Sequence, residues 1–149
     1  MLHCRAVRKE YAVRVVVVSG LLLMACLFFA PWYDRVYVLG YEVTRTAVEP
    51  PQGWLGVLAW LTTGALLVEV VITRISTTGL PEVAVSWVRI QLVQAAAVFL
   101  LVLVKFAATG YYAWGAWVGV VLAAVFSYSV WAAAGQPTPA DWREMRPGS

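Results

Sequence analysis

Charge is what this chain has least of. Lys, Arg, Asp and Glu make up 13% of its 149 residues, against 62% hydrophobic residues and a mean hydropathy of +0.76. A water-soluble domain carries about 25% charged residues and about half apolar ones, because its surface must be covered with polar groups. Too few such groups are present here, which excludes a soluble globular fold and leaves hydrocarbon as the solvent. Histidine occurs once, at His3, and cysteine twice, at Cys4 and Cys26. That inventory lacks the usual ligand sets for zinc and haem, and the two thiols are too far apart for a CxxC pair. Neither metal nor cofactor is expected. Missing too are a Ser/His/Asp or Cys/His set, a Gly-rich phosphate loop and, outside the Asp141–Glu144 tail, any carboxylates close in sequence, so no catalytic residue is nominated and no enzymatic activity is expected.

The formal charge is +3 and the pI about 9.1. The basic residues are split among chain ends and connections, too sparse to grip a phosphate backbone, so nucleic acid is not an expected partner. Arg outnumbers Lys nine to two, a bias compatible with a GC-rich bacterial genome.

Long apolar runs are what the chain has in abundance. About 20 residues at 1.5 Å rise cross the ~30 Å of hydrocarbon, and four stretches meet that length: about 13–32, 54–75, 83–108 and 111–134. Pro31 ends the first, and Pro50-Pro51-Gln52-Gly53 precedes the second. A turn over 76–81 and a tighter one at Thr109-Gly110 join the rest, and Pro137 and Pro139 close the fourth. Lipid-exposed backbone must satisfy its own hydrogen bonds, and no barrel pattern is present. The expected fold is all-α, a single membrane domain built as a four-helix transmembrane bundle, with an external loop over 33–53 and a cytoplasmic tail over 135–149.

Orientation follows from Lys and Arg near the span ends, which favour the cytoplasm. Arg5, Arg8, Lys9, Arg14, Arg74, Arg89, Arg143 and Arg146 fall on one side, and Arg35, Arg45 and Lys105 on the other. Both termini are therefore expected in the cytoplasm of a multi-pass cell-membrane protein. Trp32, Trp54, Trp114 and Trp117 fall at one set of helix ends, and Trp87 and Trp131 near the other, as interfacial anchors do. Trp60 lies deeper and reads as packing, and Lys105 reads as a snorkelling side chain. Leu23-Met24-Ala25-Cys26 has the outline of a bacterial lipobox, but Met before Ala is unusual there and Leu27-Phe28-Phe29 continues the apolar run. The first stretch is read as a retained helix rather than a processed leader.

The 33–53 segment is rich in β-branched and aromatic residues with Gly40 near its middle, which reads as two short strands or an extended flap on the helix ends. Asp34, Glu42 and Glu49 within it read as solvated charges. Phe29-Ala30-Pro31-Trp32 closes the first apolar run, Gly40-Tyr41-Glu42 follows, and Gly53-Trp54-Leu55 opens the second. In these features the first half of the chain resembles small four-span membrane proteins of actinobacteria, which carry Pro-Trp at the first helix exit and Gly-Trp at the second helix entry. The resemblance implies that architecture and brings no catalytic residue with it.

Charge and amide at membrane depth are costly and need partners. Glu69, six residues before Ile75, and Arg89, six after Val83, should lie at similar depth on antiparallel helices and form an ion pair. Thr62, Glu69, Thr73 and Ser76 share a helical stripe expected to face the bundle interior. Gln91 and Gln94 point to a second side of their helix, and are expected to meet the fourth helix through Ser127 or Ser129, or a separate protein. Gly115, Gly119 and Ala123, four apart, let two backbones approach closely, either inside the bundle or at a dimer or partner face.

The chain therefore reads as a non-enzymatic accessory or scaffold subunit that contacts lipid, another membrane protein or a second copy. The alternative is a small proton-coupled transporter or channel that uses Glu69. With an even number of spans and a cytoplasmic excess of basic residues, reporters fused to the two ends should be active on the same, cytoplasmic, side. Activity on opposite faces would refute the four-span topology.

Overall fold

The computed structural model describes residues 2–38, 41–50, 52–74, 86–108 and 112–137, with the side chains of 2–10, 34–38, 41–43 and 74 left aside. The turns at 76–81 and Thr109-Gly110, and the tail beyond Pro137, lie outside the described residues. Helix α1 spans Leu2–Phe29, strands β1 and β2 span Tyr33–Val38 and Tyr41–Arg45, and helices α2, α3 and α4 span Gly53–Arg74, Trp87–Ala107 and Trp114–Ala133. Each helix holds a segment long and apolar enough to cross a membrane: Tyr11–Phe29, Gly53–Thr73, Trp87–Ala107 and Trp114–Ala133. The chain is an all-α, four-helix transmembrane bundle.

Each helix packs against the next in chain order, and α4 returns to α1, so the four close into a ring. Val16, Leu23 and Leu27 of α1, Leu66 and Val70 of α2, Val98 and Val102 of α3, and Phe126 and Val130 of α4 meet along its axis. Outward faces carry Leu21, Leu22, Leu58, Leu61, Val68, Val93, Leu100, Val104, Val121 and Val125. Apolar residues thus cover both faces of each helix, as expected of helices solvated by lipid rather than water.

Buried hydroxyls are satisfied locally, because hydrocarbon offers no other partner. Ser19 Oγ donates to Val15 O at 2.6 Å, Thr63 Oγ1 to Ala59 O at 2.7 Å and Ser129 Oγ to Phe126 O at 2.7 Å. Helix α4 ends in a Schellman motif. Gly135, at φ +90°, donates to Ala132 O, and Gln136 N–H reaches back to Trp131 O at 3.1 Å. These bonds occupy carbonyls that the helix end would otherwise leave open.

Trp32 departs from the anchoring role its position suggested. It is fully buried, at 0% exposure, whereas Trp54, Trp114 and Trp117 at the same end are open to the surroundings. The helix stops at Phe29, so Pro31 and Trp32 turn inward across the mouth of the bundle. Four hydrogen bonds fix that turn. Trp32 N donates to Arg45 O at 2.7 Å and Ala113 N to Trp32 O at 3.1 Å, while Gly115 N donates to Pro31 O at 3.1 Å and Trp32 Nε1 to Cys26 O at 3.3 Å. They tie the exit of α1 to the end of β2 and the start of α4. The strands pair antiparallel, Val36 opposite Val43 and Val38 opposite Tyr41, and Tyr33 bridges to Tyr112.

This arrangement explains the spacing of small residues on α4. A Cβ at Gly115 would lie 2.5 Å from Pro31 O and 2.8 Å from Ala30 Cβ, and one at Gly119 would enter the Trp32 ring. Ala123 is fully buried. Gly115 and Gly119 are therefore spent on the α1–α4 contact inside one chain. Gly64, by contrast, has 3.4 Å of clearance to Met24 Cε. Gly119→Ala should destabilise the bundle by about 1–3 kcal/mol through overpacking, and Gly64→Ala should be neutral or slightly stabilising from helix propensity. Unfolding in detergent micelles measures both, and equal effects would rule out the Trp32 contact as the cause.

Candidate functional site

Glu69 is the acidic residue held within a membrane span among the described residues, and its surroundings form the candidate site. It lies on α2 five residues before Arg74, about 7.5 Å from the helix end at 1.5 Å per residue. Helix α3 runs antiparallel beside it and begins at Trp87, with Ser86 extended at φ −61°, ψ 135°. That start point decides the pairing. Arg89 falls in the first turn of α3, about 3 Å from its beginning, while Gln94 lies seven residues in, about 10 Å deep.

Gln94 Nε2 accordingly donates to Glu69 Oε1 at 2.7 Å. The bond recorded at Glu69 is therefore with this amide, where the spacing leads us to expect Arg89. Glu69 Oε1 is taken by the amide, and Glu69 Oε2 and Gln94 Oε1 are both buried with no hydrogen-bond partner among the described residues. An early start for α3 at Val83 places Arg89 too deep, and moving the start to Trp87 brings Gln94 to the carboxylate instead.

Two other expectations change with it. The stripe of Thr62, Glu69 and Thr73 does not line the interior. Leu55, Ala59, Thr63, Leu66, Leu67 and Val70 form the buried face of α2, while Thr73 is exposed and Thr62 and Glu69 are half-buried on its flank. A shared helical face is fixed by spacing, but its direction is set by which face buries more apolar surface. Thr62 and Thr73 donate to their own helix, to Leu58 O at 2.8 Å and Glu69 O at 2.7 Å. Ser76 lies outside the described residues.

Nor does Gln94 turn to α4. Ser127 Oγ donates to the backbone carbonyl of Ala95 at 2.9 Å, and Ser129 bonds within its own helix. Gln91 is buried, in the face of α3 that also holds Leu92, Ala95 and Val98. Gly115, Gly119 and Ala123 lie on α4, and the two glycines pack on the exit of α1, so they belong to a different seam from Glu69.

A second polar contact lies at the other end of α3. Lys105 is 1% exposed rather than snorkelling outward, and its Nζ stands 4.7 Å from the centroid of the Tyr33 ring, a cation–π distance. Burial pushes the Tyr33 phenol up to about 12. Phe106 stacks on Tyr112 at 4.4 Å and meets Trp117 edge-on at 4.9 Å, which holds the ends of α3 and α4 together. The burial of Trp32 and Lys105 carries no sequence signal, because both follow from how the α1 exit folds over the bundle. Cys26 is buried as well, its thiol 3.4 Å from Gly115 O.

Comparison with protein-family models, with curated proteins and with solved structures finds no match to this chain. Chemically, the Glu69–Gln94 pair can hold α2 to α3, and its unpartnered oxygens can accept a further donor. Interhelical bonds of this kind contribute about 0.6–2 kcal/mol in membranes. Glu69→Leu or Gln94→Leu alone should destabilise by about 1–3 kcal/mol, because each orphans a buried polar partner. The double replacement should recover much of that loss. A double-mutant cycle by unfolding in micelles reads the coupling, and strict additivity, or stronger coupling of Glu69 to Arg89, would refute the pairing.

Proposed function

We propose that this protein is a non-enzymatic accessory or scaffold subunit of the bacterial cell membrane, with both termini in the cytoplasm, acting through helix and loop contacts with a partner. The observation that carries this reading is the filling of the bundle axis. Leu23, Leu27, Leu66, Val98, Val102 and Phe126 meet at its centre, so the middle of the ring is occupied by close-packed side chains. Polar chemistry is displaced to the α2–α3 flank, and a cluster of exposed rings, Trp54, Tyr112, Trp114 and Trp117, sits at the strand-bearing end. A filled axis with chemistry on the flank suits a protein that works through what it touches.

Gln94 and the α4 glycines have partners within the chain, which leaves the α2–α3 flank and the strand-bearing end as the surfaces offered to another membrane protein. A photo-crosslinking residue at Val93, exposed on α3, should capture a specific membrane protein, while one at Leu22, exposed on α1, should not. A monomer that crosslinks to nothing from either position would overturn the proposal.

One observation favours a second reading, a small proton-coupled transporter or channel: the carboxylate at membrane depth with an oxygen that no group of the chain satisfies among the described residues. Loss of proton-driven flux in Glu69→Gln, with folding intact, would select it over the accessory role.

A further inference from the structure

Beside Glu69 and Gln94, the structure leaves two loose ends of the same kind. Glu69 Oε2 and Gln94 Oε1 are both oxygens, both buried, and both without a hydrogen-bond partner among the described residues. They belong to the two side chains already joined through Gln94 Nε2 and Glu69 Oε1 at 2.7 Å. An ionised carboxylate only accepts hydrogen bonds, whereas an amide both donates and accepts. With Glu69 ionised, neither orphan can help the other, and an uncompensated charge remains at hydrocarbon depth. A carboxylic acid instead donates from one oxygen and accepts at the other, matching the amide's donor and acceptor.

We infer that Glu69 holds a proton on Oε2 and donates it to Gln94 Oε1, closing a reciprocal acid–amide pair between α2 and α3. One hydrogen satisfies both orphaned atoms and removes the charge, with no need for water or a cation in the seam. Among the described residues no cation forms an ion pair with Glu69. Arg89 of α3 is in that helix's first turn, five residues from Gln94, and Lys105 is in its last turn beneath Tyr33. On α1, Arg14 lines an open groove of about 390 Å³ with Leu122 and Val125 of α4, on the side away from the α2–α3 seam, and Tyr11 lines the same groove. The site is thus a proton-binding site: with the proton held the pair makes two hydrogen bonds, and with it lost only the bond from Gln94 Nε2 to Glu69 Oε1 remains. This inference concerns the ground state of the pair and stands apart from the accessory-subunit reading.

Infrared difference spectroscopy tests it on the full chain in phosphatidylcholine vesicles at neutral pH. Wild type minus Glu69→Gln should show the C=O band of a protonated carboxylic acid. The band should be sensitive to hydrogen–deuterium exchange and move to higher wavenumber in Gln94→Leu, where its hydrogen bonds are lost. Arg89→Gln should leave it in place. Carboxylate bands in that difference spectrum would overturn the inference, and so would an acid band indifferent to Gln94→Leu. Should either variant fail to fold, wild-type chain carrying 13C at its Glu carboxyls answers the same question. A protonated-acid signal persisting at neutral pH supports the pair, and its absence overturns it.

Discussion

Polar groups carried into hydrocarbon have no water to turn to, and most of the described structure follows from that constraint. Backbone groups meet it by forming helices. Ser19, Thr63 and Ser129 meet it by donating to carbonyls three or four residues back. Where the helix of α1 ends, the freed groups of Pro31 and Trp32 are taken up by Arg45, Ala113 and Gly115. The hairpin and the entry to α4 are therefore tied to the α1 exit.

The same constraint gives Trp32 its role. A ring inserted across the mouth of the bundle needs a backbone without a side chain beneath it, which Gly119 provides, and an acceptor for its indole N–H, which Cys26 O provides. The exposed tryptophans at this end meet no such requirement and remain at the border, where amphipathic rings are favoured. Lys105 belongs with the buried group: its stem lies within the packed face of α3 and its ammonium stands over the Tyr33 ring. Two residues commonly placed at membrane borders are thus internal supports of the strand-bearing end.

Glu69 tests the constraint hardest. The chain gives it the amide of Gln94 as hydrogen-bond donor, across the seam between α2 and α3. The pair lies on the α2–α3 flank, between the filled axis and the lipid.

How much could be read from the chain without coordinates differs by element. Four spans followed from composition and run length, because ~20 apolar residues have essentially one stable form in a bilayer. The stop at Pro31 and the close-approach spacing of Gly115 and Gly119 were legible for equally local reasons. Which residues Glu69, Gln94, Trp32 and Lys105 touch was decided by tertiary structure alone. A shift of four residues in the start of α3 exchanges Arg89 for Gln94 at the carboxylate, and the inward turn after Phe29 converts an expected anchor into a buried wedge. Periodicity tells which residues share a face. It does not tell which way the face turns, because that depends on the apolar area buried against neighbours far away in the chain.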